Sequence, residues 1–175
     1  MNKKIIGVVA CSAVAASMAI GASASDELIK VGYAQVGHES DWRTANTQNY
    51  QDVFSEANGY ELSFVDCDND NAAQIEAVRN FINQELDYIV IAPIQSAGWD
   101  TVLQEAQDAG IPVIIADREI EASDDLYDAW VGTNTTNEGI TAGNWLAENL
   151  DGKEANILVI EGSVGASAAL GRSDG

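Results

Sequence analysis

The chain has 175 residues, of which 46% are hydrophobic and 21% are charged; this is ordinary for one α/β globular domain and unlike a disordered protein. Eight lysines and arginines stand against 28 aspartates and glutamates, so the net charge is −20. A surface this acidic repels phosphate backbones and anionic lipid head groups, which argues against nucleic acid as a partner.

The first residues are typical of an export signal. A basic start precedes an almost uniformly apolar or small stretch from Ile5 to Ile20, and residues 21–24 give the small-x-small pattern that a signal peptidase cleaves. We therefore predict that residues 1–24 are a signal peptide and not a membrane-spanning helix, which needs about 20 apolar residues. The alternative is a lipoprotein anchored through Cys11, although only about six apolar residues precede that cysteine.

From Leu28 onward, short runs rich in β-branched residues alternate with segments of helical period. This pattern predicts a Rossmann-like α/β fold, in which a parallel sheet is flanked by helices. The expected strands are Ile29–Val36, Tyr60–Cys67, Tyr88–Ala92, Pro112–Ala116, Tyr127–Val131 and Asn156–Ile160. The expected buried helix faces are Tyr50, Val53, Phe54 and Ala57; Ile75, Val78 and Ile82; Trp99, Val102, Leu103 and Ala106; and Ala142, Trp145, Leu146 and Leu150. After the last strand we expect a glycine-rich turn with no closing helix or strand.

Cys67 would be the only cysteine left once the signal is removed, so we expect no intramolecular disulfide. It stands at the end of an apolar strand, where a cysteine is usually buried and unreactive. No neighbouring residue in the sequence would make it a nucleophile.

The loops that follow the strands are the expected place for a binding site, because ligands of such folds bind beyond the carboxyl ends of parallel strands. The first loop, Gln35 to Arg43, holds donors, acceptors and one large aromatic residue within nine residues. Carboxylate, guanidinium and indole groups suit a sugar, whose hydroxyls donate and accept and whose C–H face is apolar. Trp42 would stack on that apolar face, or alternatively would fix the start of the first helix to the core.

A second polar pair follows the fourth strand. The Asp117 carboxylate could accept from one sugar hydroxyl while the planar Arg118 guanidinium donates to neighbouring oxygens. Without that position the pair would be interpreted as a surface salt bridge. The glycine-rich stretch 162–167 is a weak candidate for binding phosphate, because it lacks the Lys-Ser/Thr ending of a P-loop and the glycine spacing of a dinucleotide turn.

Metal binding and catalysis find little support in the sequence. His38 is the only histidine and no acidic stretch has the spacing of a calcium loop, so we expect no metal and no cofactor. No Ser/His/Asp or Cys/His arrangement is evident, so we do not expect an enzyme. A glycosidase with paired carboxylates is the alternative, without specific support.

Taken together, these features resemble the periplasmic sugar-binding proteins of ABC importers, of the ribose- and galactofuranose-binding type, over Ile29 to Gly175. The pieces that carry the resemblance are Gln35-Val36-Gly37 through Trp42-Arg43, Ile91-Ala92-Pro93, Asp117-Arg118, and Gly165-Ala166-Ser167-Ala168-Ala169 with Arg172 and Gly175. The resemblance implies a type I periplasmic-binding fold, in which two similar lobes joined by a hinge close on one sugar. It also implies that the cleft is lined by Glu39, Trp42, Arg43, Asp117, Arg118 and Arg172.

The same resemblance implies how the chain is organised and what it contacts. Residues 25–134 would form the N-terminal sugar-binding lobe. Residues 135–175 would cross into a second lobe that is largely missing and would continue beyond Gly175. The expected partners are a monosaccharide, with galactofuranose as the candidate, and the membrane subunits of an ABC permease. The protein itself is expected to be exported and monomeric.

Three rival functions share part of this pattern. A sugar-sensing protein that reports to a chemotaxis receptor or a kinase has the same sequence features as a transport receptor. A secreted carbohydrate-active enzyme would turn over a glycoside. Sugar-responsive transcription regulators share the fold but begin with a DNA-binding helical unit, whereas this chain begins with an export signal.

Overall fold

The computed structural model describes residues 27–175, so the predicted signal peptide and the alternative lipid-anchor site at Cys11 lie outside the described residues. The elements are β1 (Ile29–Gln35), α1 (Asp41–Val53), β2 (Tyr60–Asp66), α2 (Asn71–Asn83), β3 (Tyr88–Ile91), α3 (Asp100–Asp108), β4 (Val113–Asp117), β5 (Ala129–Gly132), α4 (Thr135–Leu150) and α5 (Ser167–Asp174). None of the helices described is both long enough and apolar enough to cross a bilayer.

The five strands form one parallel sheet in the order β2-β1-β3-β4-β5. β1 pairs along its full length with β2, from Ile29 opposite Tyr60 to Gln35 opposite Asp66. Because β2 and β3 lie on either side of β1, the winding direction reverses there, and this reversal opens a crevice at the carboxyl edge of the sheet. The predicted α/β fold with a parallel sheet is confirmed.

Successive residues of β1 show which helices cover each face. An added Cβ at Gly32 would lie 2.6 Å from the Phe81 ring of α2, so this close approach of helix to strand requires glycine. The next residue, Tyr33, points to the opposite face and stacks on Tyr50 of α1 with 3.9 Å between ring centroids. Helices α1 and α2 therefore lie on opposite faces of the sheet.

The predicted buried faces of α1 and α2 need correction. In the first, Tyr50 and Phe54 pack against the core, but Val53 is 46% exposed and Ala57 lies in an exposed turn after the helix. In α2, Val78 is buried as predicted, while Ile75 and Ile82 are only partly buried. The fully buried stripe of α2 is Gln74, Ala77, Val78 and Phe81. The true stripe includes a polar residue, which the apolar pattern could not indicate.

Cys67 is buried, as predicted, with 2% of its surface exposed. Burial, with smaller contributions from the charges of Asp66 and Asp70, raises the pKa of its thiol to about 12. The thiol is therefore almost wholly protonated near neutral pH, which is the unreactive form.

The carboxyl-terminal part differs most from the predictions. Residues 156–160 form no strand, because a strand needs a hydrogen-bonded neighbour and nothing within residues 27–175 pairs with them; Leu158 is 88% exposed. The helix α5 then follows where no closing element was expected. The predicted apolar face of α4 is also wrong, since its Trp145 is 63% exposed and α4 instead buries Thr135 and Gly139.

Helices α4 and α5 pack closely through glycine. A Cβ added at Gly139 would lie 2.5 Å from the Arg172 carbonyl oxygen, and one at Gly171 would lie 2.2 Å from the Thr135 hydroxyl. Backbones this close leave no room for a side chain. The two helices therefore form a unit of their own after the five-stranded sheet.

Candidate functional site

The carboxyl edge of the sheet brings together residues that lie far apart in the sequence. Glu39 and Arg43 belong to the loop after β1 and the start of α1, whereas Asp117 and Arg118 end and follow β4. Ser40 is the N-cap of α1, and its hydroxyl accepts a hydrogen bond from the backbone N–H of Arg43 at 3.1 Å. This cap fixes the first turn of α1, where the Arg43 side chain begins.

Arg43 joins the two loops through its guanidinium group. It is 2% exposed; its Nε donates to Glu39 Oε1 at 3.0 Å and its Nη2 donates to Asp117 Oδ2 at 2.7 Å. Burial lowers the pKa of the guanidinium, but the hydrogen bonds and charges of Asp117 and Glu39 outweigh it, so the pKa lies above its ordinary value. Arg43 is thus a fully charged cross-link between the loops.

The backbone at Asp117 is held in an uncommon conformation. Its φ is +66°, in the left-handed region, and the N–H of Arg118 donates to the Ala116 carbonyl at 2.8 Å, closing a three-residue turn. The neighbouring strand permits this turn because Gly132 lies opposite, where a Cβ would come within 2.2 Å of the Asp117 carbonyl oxygen. Such strained positions concentrate at functional sites.

Arg118 makes looser contacts than Arg43. Its Nη2 lies 3.5 Å from Glu39 Oε1 and its Nε lies 4.0 Å from Asp117 Oδ2, although only 16% of its side chain is exposed. Burial and then the neighbouring charge of Arg43 lower the pKa of Arg118 from its ordinary value. The second guanidinium is therefore desolvated but only weakly paired.

Both guanidinium groups keep one donor without a partner. Within the described part of the chain, the Nη1 atoms of Arg43 and Arg118 are buried and make no hydrogen bond. A buried donor that is left unpaired costs free energy, about 1–3 kcal/mol and more for a charged group. The cluster therefore holds two guanidinium donors whose hydrogen-bonding capacity is unused.

Trp42 lies beside this cluster and is mostly exposed. Its side chain is 57% exposed, and the Arg43 Cζ lies 4.8 Å from its ring centroid. This position does not support the alternative in which Trp42 fixes the helix to the core. The indole instead offers an apolar surface next to the charged groups.

Arg172 lies on α5, apart from the other five predicted site residues. Its Nε and Nη2 bond to Glu138 of α4 at 2.8 and 2.7 Å, and 55% of its side chain is exposed. It shares with Arg118 the lining of a cavity of about 590 Å³. The other residues that line this cavity are Val159, Ile160, Glu161, Gly162, Ser163, Ala166, Ala168, Ala169 and Ser173.

Sequence reasoning missed two residues that shape this edge. Gln74 of α2 is fully buried; it donates to the carbonyls of Ala34 and Ala92 at 3.1 and 2.7 Å and accepts from the N–H of Ile94 at 2.9 Å. Ser96, in the loop between β3 and α3, is 4% exposed. For Gln74, the sequence offers one indication of burial: it stands three and four residues before Ala77 and Val78, on the same face of the helix.

Within residues 27–175, no three His, Cys, Asp or Glu side chains are placed to hold a metal ion. The arrangement instead offers charged donors, carboxylate acceptors and an exposed aromatic face.

Comparison with known proteins defines the class. Residues 31–175 match the model of the periplasmic binding protein domain, and the chain belongs to this family. It is 41% identical to the galactofuranose-binding protein YtfQ of Escherichia coli, in an alignment that covers 100% of this chain and 54% of that protein.

Solved structures agree with this assignment. A galactofuranose-binding protein has 41% identity and a TM-score of 0.78, over 83% of this chain and 49% of that one. The binding component of the arabinose ABC transporter of Shewanella sp. ANA-3, bound to L-arabinofuranose, has 40% identity and a TM-score of 0.75. The match covers 82% of this chain and 47% of that one. The chain thus spans about half the length of these relatives.

Proposed function

We propose that this chain is the sugar-binding part of an exported receptor for an ABC importer, which takes up one monosaccharide and presents it to the permease without changing it. The observation that carries the proposal is the pair of buried guanidinium groups at the carboxyl edge of the sheet, each with a free Nη1 donor. The similarity to binding proteins of sugar transporters supports it.

The chemistry of the cluster suits a neutral sugar better than an anion. Arg43 and Arg118 face Glu39 and Asp117, so the positive charges are balanced within the cluster. A neutral polyol can accept from the guanidinium donors and donate its hydroxyls to the carboxylates, without adding net charge. An apolar C–H face could lie on the exposed indole of Trp42.

We propose a furanose, with galactofuranose as the first candidate, as the form that is bound. This choice is based on the names of relatives, which bind galactofuranose and arabinofuranose. Arg172 would contribute from the α5 side of the cavity that it shares with Arg118. Closure of the protein around the sugar would create the shape that the permease recognises.

The test is a titration of the intact gene product, freed of its predicted signal, with a panel of pentoses and hexoses, followed by tryptophan fluorescence. We expect saturable binding of one sugar at micromolar concentration or below. In the Arg118→Ala variant the Kd should rise about 10- to 100-fold, because a desolvated charged donor is lost. Arg79→Ala, which removes an exposed guanidinium on α2, should leave the Kd unchanged.

A protein that binds no sugar would overturn the proposal. A variant Arg118→Ala with unchanged affinity would remove that residue from the site. Delivery to a permease is tested separately, by uptake of the labelled sugar in cells that lack only this gene; normal uptake there would favour a sensing role.

A further inference from the structure

Ser96 lies at the meeting point of three segments. Its backbone N–H donates to the Gly165 carbonyl at 2.8 Å, its own carbonyl accepts from the Glu121 N–H at 2.7 Å, and its hydroxyl donates to Glu121 Oε1 at 2.8 Å. The residue is buried, with 4% of its surface exposed. It therefore joins the loop after β3 to the loop after β4 and to the segment before α5.

The bond to Gly165 crosses between two parts of the molecule. Residues 27–132 form the sheet with α1 to α3, whereas α4 and α5 pack on each other. Within residues 27–175, no other hydrogen bond joins the first part to residues 133–175. Among the described residues, this contact is therefore the one hydrogen bond that holds the carboxyl-terminal unit against the site.

The backbone of Gly165 suits it to this role. Its φ is +80°, a conformation that side-chain-bearing residues adopt at a cost, while the nearest atom to an added Cβ would be Gln95 Cγ at 3.8 Å. A side chain at position 165 would have room, so it is the positive φ, and not the available space, that favours glycine here. That orientation presents the Gly165 carbonyl to the Ser96 N–H.

We infer that Ser96 is a positioning residue for the sugar site: together with Glu121 it shapes the Pro93–Gly98 loop so that the loop docks on Gly165 and favours the closed arrangement. In that arrangement Arg118 and Arg172 line one cavity. The inference rests on the proposed function. Ser96 would act on affinity through the population of the closed state and not by touching the sugar.

The experiment compares four variants of the intact gene product. Ser96→Ala and Glu121→Ala remove the hydrogen bond between the two side chains, whereas Glu121→Gln keeps an acceptor oxygen. Ser55→Ala is the control, because it also removes a serine hydroxyl that makes a hydrogen bond, to the Asp52 carbonyl near the end of α1. Stopped-flow fluorescence measures how fast the sugar dissociates. Small-angle X-ray scattering measures the radius of gyration of the sugar-free protein, a readout that requires no sugar binding.

We expect Ser96→Ala and Glu121→Ala to speed sugar dissociation about 3- to 10-fold, as the loss of one hydrogen bond predicts, and to enlarge the sugar-free protein. Glu121→Gln and Ser55→Ala should match the unchanged protein in both readouts. Fast dissociation of Glu121→Gln as well would contradict the inference, because that variant keeps the acceptor oxygen for the Ser96 hydroxyl.

The second test approaches the contact from its other side. Gly165→Ala disfavours the backbone conformation that presents the carbonyl, so it should speed dissociation as Ser96→Ala does, and the double variant should add little to either. Full additivity, or dissociation rates and dimensions equal to those of the unchanged protein, would overturn the inference. If the unchanged protein binds no sugar, the proposed function fails, and the radius of gyration alone then decides the role of Ser96.

Discussion

Substitution of Arg43 by methionine tests the cluster through stability. Arg43 is buried and holds Glu39 and Asp117 at 3.0 and 2.7 Å, and methionine keeps much of its length without the charge. Breaking a buried ion pair costs about 3–5 kcal/mol, while exposed pairs contribute about 0–1 kcal/mol. Because the two carboxylate side chains are 33% and 29% exposed, we expect an intermediate loss, about 2–3 kcal/mol of the free energy of unfolding.

Urea unfolding of the intact gene product, followed by circular dichroism, measures this loss if the slope with denaturant stays unchanged. Arg79→Met is the matched control. Arg79 also makes two guanidinium bonds to one carboxylate, Glu105, but its side chain is 47% exposed, so its midpoint should shift much less. Equal shifts for the two variants would refute the view that Arg43 is a desolvated cross-link.

Three further predictions concern the core. In urea unfolding, Gly32→Ala should lower the free energy of unfolding by about 1–3 kcal/mol, because its Cβ would overlap the Phe81 ring. Gly143→Ala, at an open position of α4, is the control and should raise it by up to about 1 kcal/mol. Gln74→Leu should lower the free energy of unfolding by about 2–4 kcal/mol, because the buried Ala92 carbonyl and Ile94 N–H lose their bonds to Gln74, while the Ala34 carbonyl keeps its bond from the Ala92 N–H; a neutral result in urea would refute this role. Native Cys67 should resist Ellman's reagent at pH 8, since its thiol pKa is raised to about 12, and should react at once in denaturant; rapid reaction of the native protein would contradict its burial.

The amino-terminal sheet could be predicted because its local patterns agree with the tertiary structure. Five expected strands match β1 to β5 within a few residues. The apolar runs of β1, β3 and β4 are largely buried, as expected for the central strands of a parallel sheet, whereas the edge strands β2 and β5 are only partly buried or exposed. Residues 156–160 have an equally apolar pattern, yet they form no strand within the described chain. Apolar composition predicts a tendency to pair, but a strand forms only where a neighbour accepts its hydrogen bonds.

The candidate site could be predicted in part. The rule that ligands bind at the carboxyl ends of parallel strands selects the loops of Glu39 and Asp117, and the structure brings them to one edge. The rule does not indicate that the guanidinium of Arg43 makes short hydrogen bonds to both carboxylates while that of Arg118 makes only long contacts. That difference between Arg43 and Arg118 follows from distances across 74 and 79 residues of sequence, which no local pattern encodes.

A crystal structure of the intact gene product with its sugar would show where the ligand lies. We expect sugar oxygens within hydrogen-bond distance of Nη1 of Arg118 and of the Asp117 carboxylate, with a C–H face of the sugar near the Trp42 indole. A sugar bound elsewhere, with the Nη1 atoms of Arg43 and Arg118 still without a partner, would contradict this expectation.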